Sequence, residues 1–310
     1  MFNITAKQRI AFLVFFATAL ATFAQAPAPE VVEQSRSGPM QQPLVRFQSF
    51  WQSNELGSIE LVDRTPPPPT ITGYTVQSYF HTDNLFLTPY RPQHADAWAG
   101  AFGLSYVPYS TYRWTPRLTV EGALTRFDPF SRSDFNTESI AFDNRLGLTG
   151  NNMLSWVFNV SALSSQGERS GIGEFYKRVQ IVSGLDWFVP LSRDGQWLLQ
   201  ASPRIDARIA HPESEDRYDA TLALGLCRTF GSCISVEPYI ECGGAYYPNN
   251  SALLVHRKDV HFRGGMNAAW RIGDHWTVNA GVNWFGNYSS APGANYQILP
   301  DIALTGQLAF

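Results

Sequence analysis

The residues in this chain best suited to chemistry are histidines set near carboxylates. An imidazole held through one ring nitrogen by a carboxylate can pass a proton near neutral pH. The sequence offers His81 with Asp83, His211 with Glu213, His256 with His261, and His94 with Asp96. None of these pairs sits in a recognisable catalytic signature, and His94 and Asp96 fall in a stretch expected to be an outer loop, where a solvated histidine is far commoner than a base. Zinc-ligand spacing, a phosphate loop and a serine elbow are missing as motifs. "GIGEF" falls in a loop and "RGGMN" inside a strand pattern, whereas those glycine motifs must open a helix. The expectation is a protein that is not an enzyme, with no catalytic residue, cofactor or metal.

The elements that must position any functional side chain are strands, because successive side chains of an extended chain point to opposite faces. "WAGAFGLSYV" puts Trp98, Gly100, Phe102, Leu104 and Tyr106 on one face. "PRLTVEGALT" puts Leu118, Val120, Gly122 and Leu124 there, against Thr119, Glu121 and Ala123. The alternation recurs through "MLSWVFNVSA" and ends on "DIALTGQLAF", where Ile302, Leu304, Gly306, Leu308 and Phe310 share a face. About twelve such strands follow the prolines, each near the length that crosses a bilayer at a tilt. The apolar faces are nearly free of charge and carry aromatics toward strand ends, as membrane-interface girdles do. Connections alternate: "GNYSSAPGANYQ" and "YYPNNSALLVHR" are long, "RIGDH" and "RTFGS" short.

The front of the chain reads differently. "MFNITAKQR", the apolar run "IAFLVFFATALATF" and the small residues "AQAPA" have the layout of a secretory signal peptide over residues 1–24, cut after Ala24 in preference to Ala26. Residues 25–72 form a Pro-rich extension on the periplasmic side. Within it, 44–63 holds one amphipathic element that either packs on the main domain or enters it as a plug. A net charge of −3 with no basic stripe excludes nucleic acid as a partner.

Leader, alternation, loop asymmetry and the final aromatic together resemble the outer-membrane β-barrel proteins of Gram-negative bacteria, over residues 73–310. The resemblance is to the porin-like class and not to one family within it. It implies an all-β fold, a transmembrane antiparallel up-and-down barrel with a short N-terminal extension, surrounded by outer-membrane lipid. In that class the last strand addresses the barrel-assembly machinery, which implies that role for Ile302, Leu304, Leu308 and Phe310. Signatures of the known outer-membrane phospholipases and proteases are absent.

In such a barrel the second face of each strand lines the lumen. Parity assigns Glu121, Asp143, Arg145, Arg178, Asp186, Arg204, Asp206, Arg208, Asp219, Glu237, Glu241, Arg263 and Asp301 to it. At this strand number the interior is either a narrow pore or a salt-bridged core. The function expected is a narrow passive channel for small polar solutes; the alternative is a closed structural or surface-contact barrel, and the oligomeric state stays open. Cys227 and Cys233 flank the short turn "RTFGS" on the inward parity, so an oxidising compartment would either pair them or leave three thiols, with Cys242 on the other face.

If the last strand is an assembly address, deleting Phe310 should lower the amount inserted in cells far more than the stability of protein refolded in vitro. Quantitative blotting of outer membranes beside urea titration of refolded protein checks this.

Overall fold

The computed structural model describes residues 70–309, apart from 88–91, 112, 150–152, 169–172, 193–195, 232, 250–255, 273–275 and 292–293. The expectations for the leader, for residues 44–63 and for Phe310 lie outside the described residues.

The strands are β1 Thr70–Thr82, β2 Ala95–Val107, β3 Trp114–Asp128, β4 Phe135–Gly147, β5 Leu154–Gly167 and β6 Glu174–Pro190. They continue as β7 Trp197–His211, β8 Arg217–Phe230, β9 Ile234–Tyr247, β10 Arg257–Ile272, β11 Trp276–Ser289 and β12 Tyr296–Ala309. Each pairs antiparallel with its chain neighbours, and β1 closes on β12, giving one barrel of twelve strands. Closure runs from Thr72 opposite Ala309 to Thr82 opposite Ile298. The register slips once on each side of β12, between Ile298 and Asp301. Pro300 falls in this slip, where its missing N–H costs no ladder hydrogen bond.

Parity sorts the side chains as the alternation requires. The outward rows are apolar and exposed, with Ile209 70% and Ile205 64% accessible. Trp114, Trp187, Trp270 and Trp276 gather near the rim where both barrel ends lie, and Tyr79, Trp98, Tyr218, Tyr246 and Tyr288 near the far rim. These are the two interfacial girdles of a membrane barrel, where one end of an aromatic side chain is apolar and the other wet. The inward rows hold buried Ser, Thr, Asn, Gln and charged residues.

Three expectations need correction. The loop asymmetry is confined mainly to the connections 83–94 and 248–256; those at 129–134, 168–173, 212–216 and 290–295 are no longer than 108–113 or 191–196 at the terminal rim. Strands of up to 17 residues exceed the crossing length of about 10, because ladder hydrogen bonds remain favourable beyond the lipid and absorb residues that look like loop. Asp96 lies in β2 and not in an outer loop, and His94 lies just before it. No disulfide joins Cys227 and Cys233. The pairs Gly225 with Tyr239 and Arg228 with Val236 place Cys227 opposite Glu237, so the ladder does not oppose the two sulfurs.

Gly103 shows how tightly the inner wall is fitted. The Tyr74 ring of β1 lies over it, where a Cβ would overlap the ring, and the Tyr74 hydroxyl donates to Glu121 Oε2 of β3 at 2.8 Å. β1 and β3 are thus tied across β2. Gly122, on the lipid side, has open space around it. Gly103→Val should displace Tyr74 and lower stability by at least the roughly 1 kcal/mol of a hydrogen bond, whereas Gly122→Val should be near neutral; heat-modifiability of unboiled protein on gels reads both.

Candidate functional site

The histidine pairs do not assemble a reaction centre. His81 Nδ1 meets Asp96 Oδ1 at 2.8 Å, not Asp83, and its ring stacks on His94 at 6.1 Å on the outside of the wall. Asp83 instead accepts the Gln297 amide. Through its ring nitrogen, His256 bonds the Pro248 carbonyl at 3.0 Å, while His261 is buried inside the barrel, so that pair is split by the wall. His211 ends β7, and Glu213 lies in the following 3-10 turn. Among the described residues no group of three or more His, Cys, Asp or Glu could hold a metal ion.

The interior is the candidate site. All the charged residues assigned to the lumen by parity, from Glu121 to Asp301, lie on inward rows of their strands. Three bonded groups stand out along the wall. Near the terminal rim, Asp186 accepts Ser202 Oγ at 2.8 Å and pairs with Arg204, while Gln200 donates to Ser202 at 2.9 Å. On the β3–β5 wall, Asn159 donates to Asp143 at 2.6 Å. Toward the far rim, Arg257 pairs with Asp259 (Nε to Oδ1 2.9 Å), Asn287 also donates to Asp259, and Arg217 pairs with Asp219. Tyr247, 1% exposed, accepts Arg217 at 3.0 Å, and the Arg257 guanidinium lies 4.3 Å from its ring centroid.

Arg117, Arg217, Arg257 and Asp259 share this interior and were missed by the sequence reading. The signal was present as Arg-x-Asp in "RYD" and "RKD". Two positions apart on one strand, the charges share a face and can pair. With these residues included, inward acids and arginines nearly balance.

Two regions of the lumen differ in kind. At the far rim an apolar cluster fills the inside: Phe80, Ala95, Ala97, Phe127, Phe135, Phe285, Tyr296 and Ile298, with Leu85 of the 83–94 connection at 0% exposure. Phe86 packs edge-on against Phe130 at 5.6 Å, and Asn84 Nδ2 donates to the Asn295 carbonyl. Residues 84–86 therefore fold in at the mouth and are latched to two other connections. Lower on the β2–β6 wall, the hydrogen-bonded neighbours Ser105, Thr119, Ala141, Ser161 and Gln180 form one row across five strands. All are small or polar and all remain half-buried.

No family model matches the chain, and no curated protein does. Solved structures do. An outer-membrane channel from Pseudomonas putida F1 aligns over 82% of this chain and 100% of its own, at 11% identity and a TM-score of 0.57. The translocator domain of the autotransporter NalP from Neisseria meningitidis covers 86% and 98% at 11% identity and 0.47. The KdgM porin covers 76% and 99% at 12% identity and 0.41. The first of these carries the fold: this chain has the architecture of bacterial outer-membrane β-barrels.

Arg257→Gln should leave the buried Asp259 carboxylate without its ion partner and lower stability by on the order of 3 kcal/mol. Adding Asp259→Asn should recover part of that loss. Urea unfolding of refolded protein in detergent, followed by tryptophan fluorescence, measures both.

Proposed function

We propose that this barrel is a narrow passive channel for small polar solutes in a bacterial outer membrane, with the terminal rim in the periplasm. The observation that carries the reading is the row Ser105, Thr119, Ala141, Ser161 and Gln180, uncharged and half-buried on the inner wall. Hydroxyls and amides there can exchange hydrogen bonds with water or an uncharged polar solute without binding it tightly, as conduction needs. The near balance of inward charge supports a pore with little preference between cations and anions, since paired charges contribute little net field. The apolar cluster around Leu85 and Phe86 lies inside the far mouth, and an apolar constriction resists wetting. Unitary conductance should therefore be small.

Planar-bilayer recording of purified protein tests this. Ala141→Phe combined with Ser161→Phe should lower conductance, while Ile140→Phe on the lipid face should not. Leu85→Ser with Phe86→Ser should raise it. A silent bilayer with demonstrably inserted protein, in all of these variants, would replace the channel with a closed structural barrel.

A further inference from the structure

The lipid-facing rows carry few charges, and most of them, Asp96, Arg126, Glu138, Lys177 and Lys258, sit toward the far rim. Arg228 is different. It lies on the outward parity of β8, two residues from the end of the strand at the terminal rim. In the ladder it stands opposite Trp197 and Val236, so its surroundings on that face are apolar. Its guanidinium carbon lies 4.8 Å from the Trp197 ring centroid and 4.5 Å from that of Phe230.

The inward arginines Arg204, Arg217 and Arg257 each have a carboxylate. Arg228 pairs with none among the described residues, and its Nε is buried with no hydrogen-bond partner in the protein. A guanidinium is always charged, and a charge on the lipid face is tolerated near an interface at a cost that grows with depth. Two aromatic rings hold the planar cation in place by cation–π attraction. They leave the two Nη groups for a planar fork of acceptor oxygens, the geometry that a phosphodiester supplies.

We propose that Arg228, Trp197 and Phe230 form a binding site for the phosphodiester headgroup of a glycerophospholipid in the leaflet at the terminal rim. The site rests on the membrane-spanning reading of the barrel and not on channel activity. The ligand is a lipid and not free phosphate because the rings around the guanidinium belong to the apolar outer wall, where acyl chains run. The site would hold the barrel at a set depth in that leaflet.

The test is native mass spectrometry of the purified full barrel in detergent, titrated with dioleoyl phosphatidylglycerol. A discrete lipid adduct is expected for the unaltered protein. Arg228→Gln should weaken it at least about tenfold, the factor that corresponds to roughly 1.4 kcal/mol and to loss of a charge-assisted fork. Arg228→Lys should fall between, since it keeps the charge and loses the fork, and Trp197→Leu should also weaken the adduct. Heat-modifiable mobility confirms that each variant is folded, and where Arg228→Gln fails to fold the other two carry the result. Equal adduct formation in the folded variants would overturn the site. So would an equal adduct with dioleoylglycerol, which lacks the phosphate. Displacement of the lipid by millimolar inorganic phosphate would show an anion site of another kind and overturn the lipid assignment.

Discussion

The structure depends on one pairing, that of β1 with β12. Inside hydrocarbon no water is available to backbone N–H and C=O groups, and each unsatisfied one costs several kcal/mol. An open sheet of these strands would leave two such edges along its whole length. The ladder from Thr72 opposite Ala309 to Thr82 opposite Ile298 removes both. The slip between Ile298 and Asp301 lets the closing strand keep its pairing on both sides while shifting register once.

Closure also decides what the interior can be. Once the circumference is set, inward side chains from twelve strands must share one lumen, and most of them here are buried. Charges brought into that space need partners, because an unpaired buried charge is far more costly than a paired one. The wall from β7 to β11 answers with Arg–Asp pairs reinforced by Tyr247, Asn287 and Ser202. The wall from β2 to β6 bonds its charges to neutral partners, Asn159 on Asp143 and Ser161 and Gln180 on Arg178, beside a row of small or polar residues. At the far rim the inner face is apolar on β1 to β4, β11 and β12, where Leu85 packs on it, and charged on β8 and β10.

A shared barrel architecture carries no function of its own, because function lives in the site placed on a fold. The lumen row and the arginine at the terminal rim are features of this chain's side chains. Neither follows from likeness to another barrel at 11% identity.

The order and faces of the strands were legible in the amino-acid sequence, because a period of two is local and every outward residue must suit lipid. Ile302 and Leu304 face outward and Asp301 inward, as alternation requires. The inward placement of Glu121, Asp143 and Arg204 followed from the same rule. Partner choice was not legible. His81 lies two residues from Asp83 in the chain, yet it bonds Asp96 of the next strand, because register and not sequence distance sets which side chains meet. Cys227 and Cys233 look opposed across a turn, but the ladder offsets them. The folding of Leu85 into the far mouth was equally hidden, since a short apolar stretch in a connection has no period to read. Local periodicity determined which way each side chain points; closure of the ladder decided which of them touch.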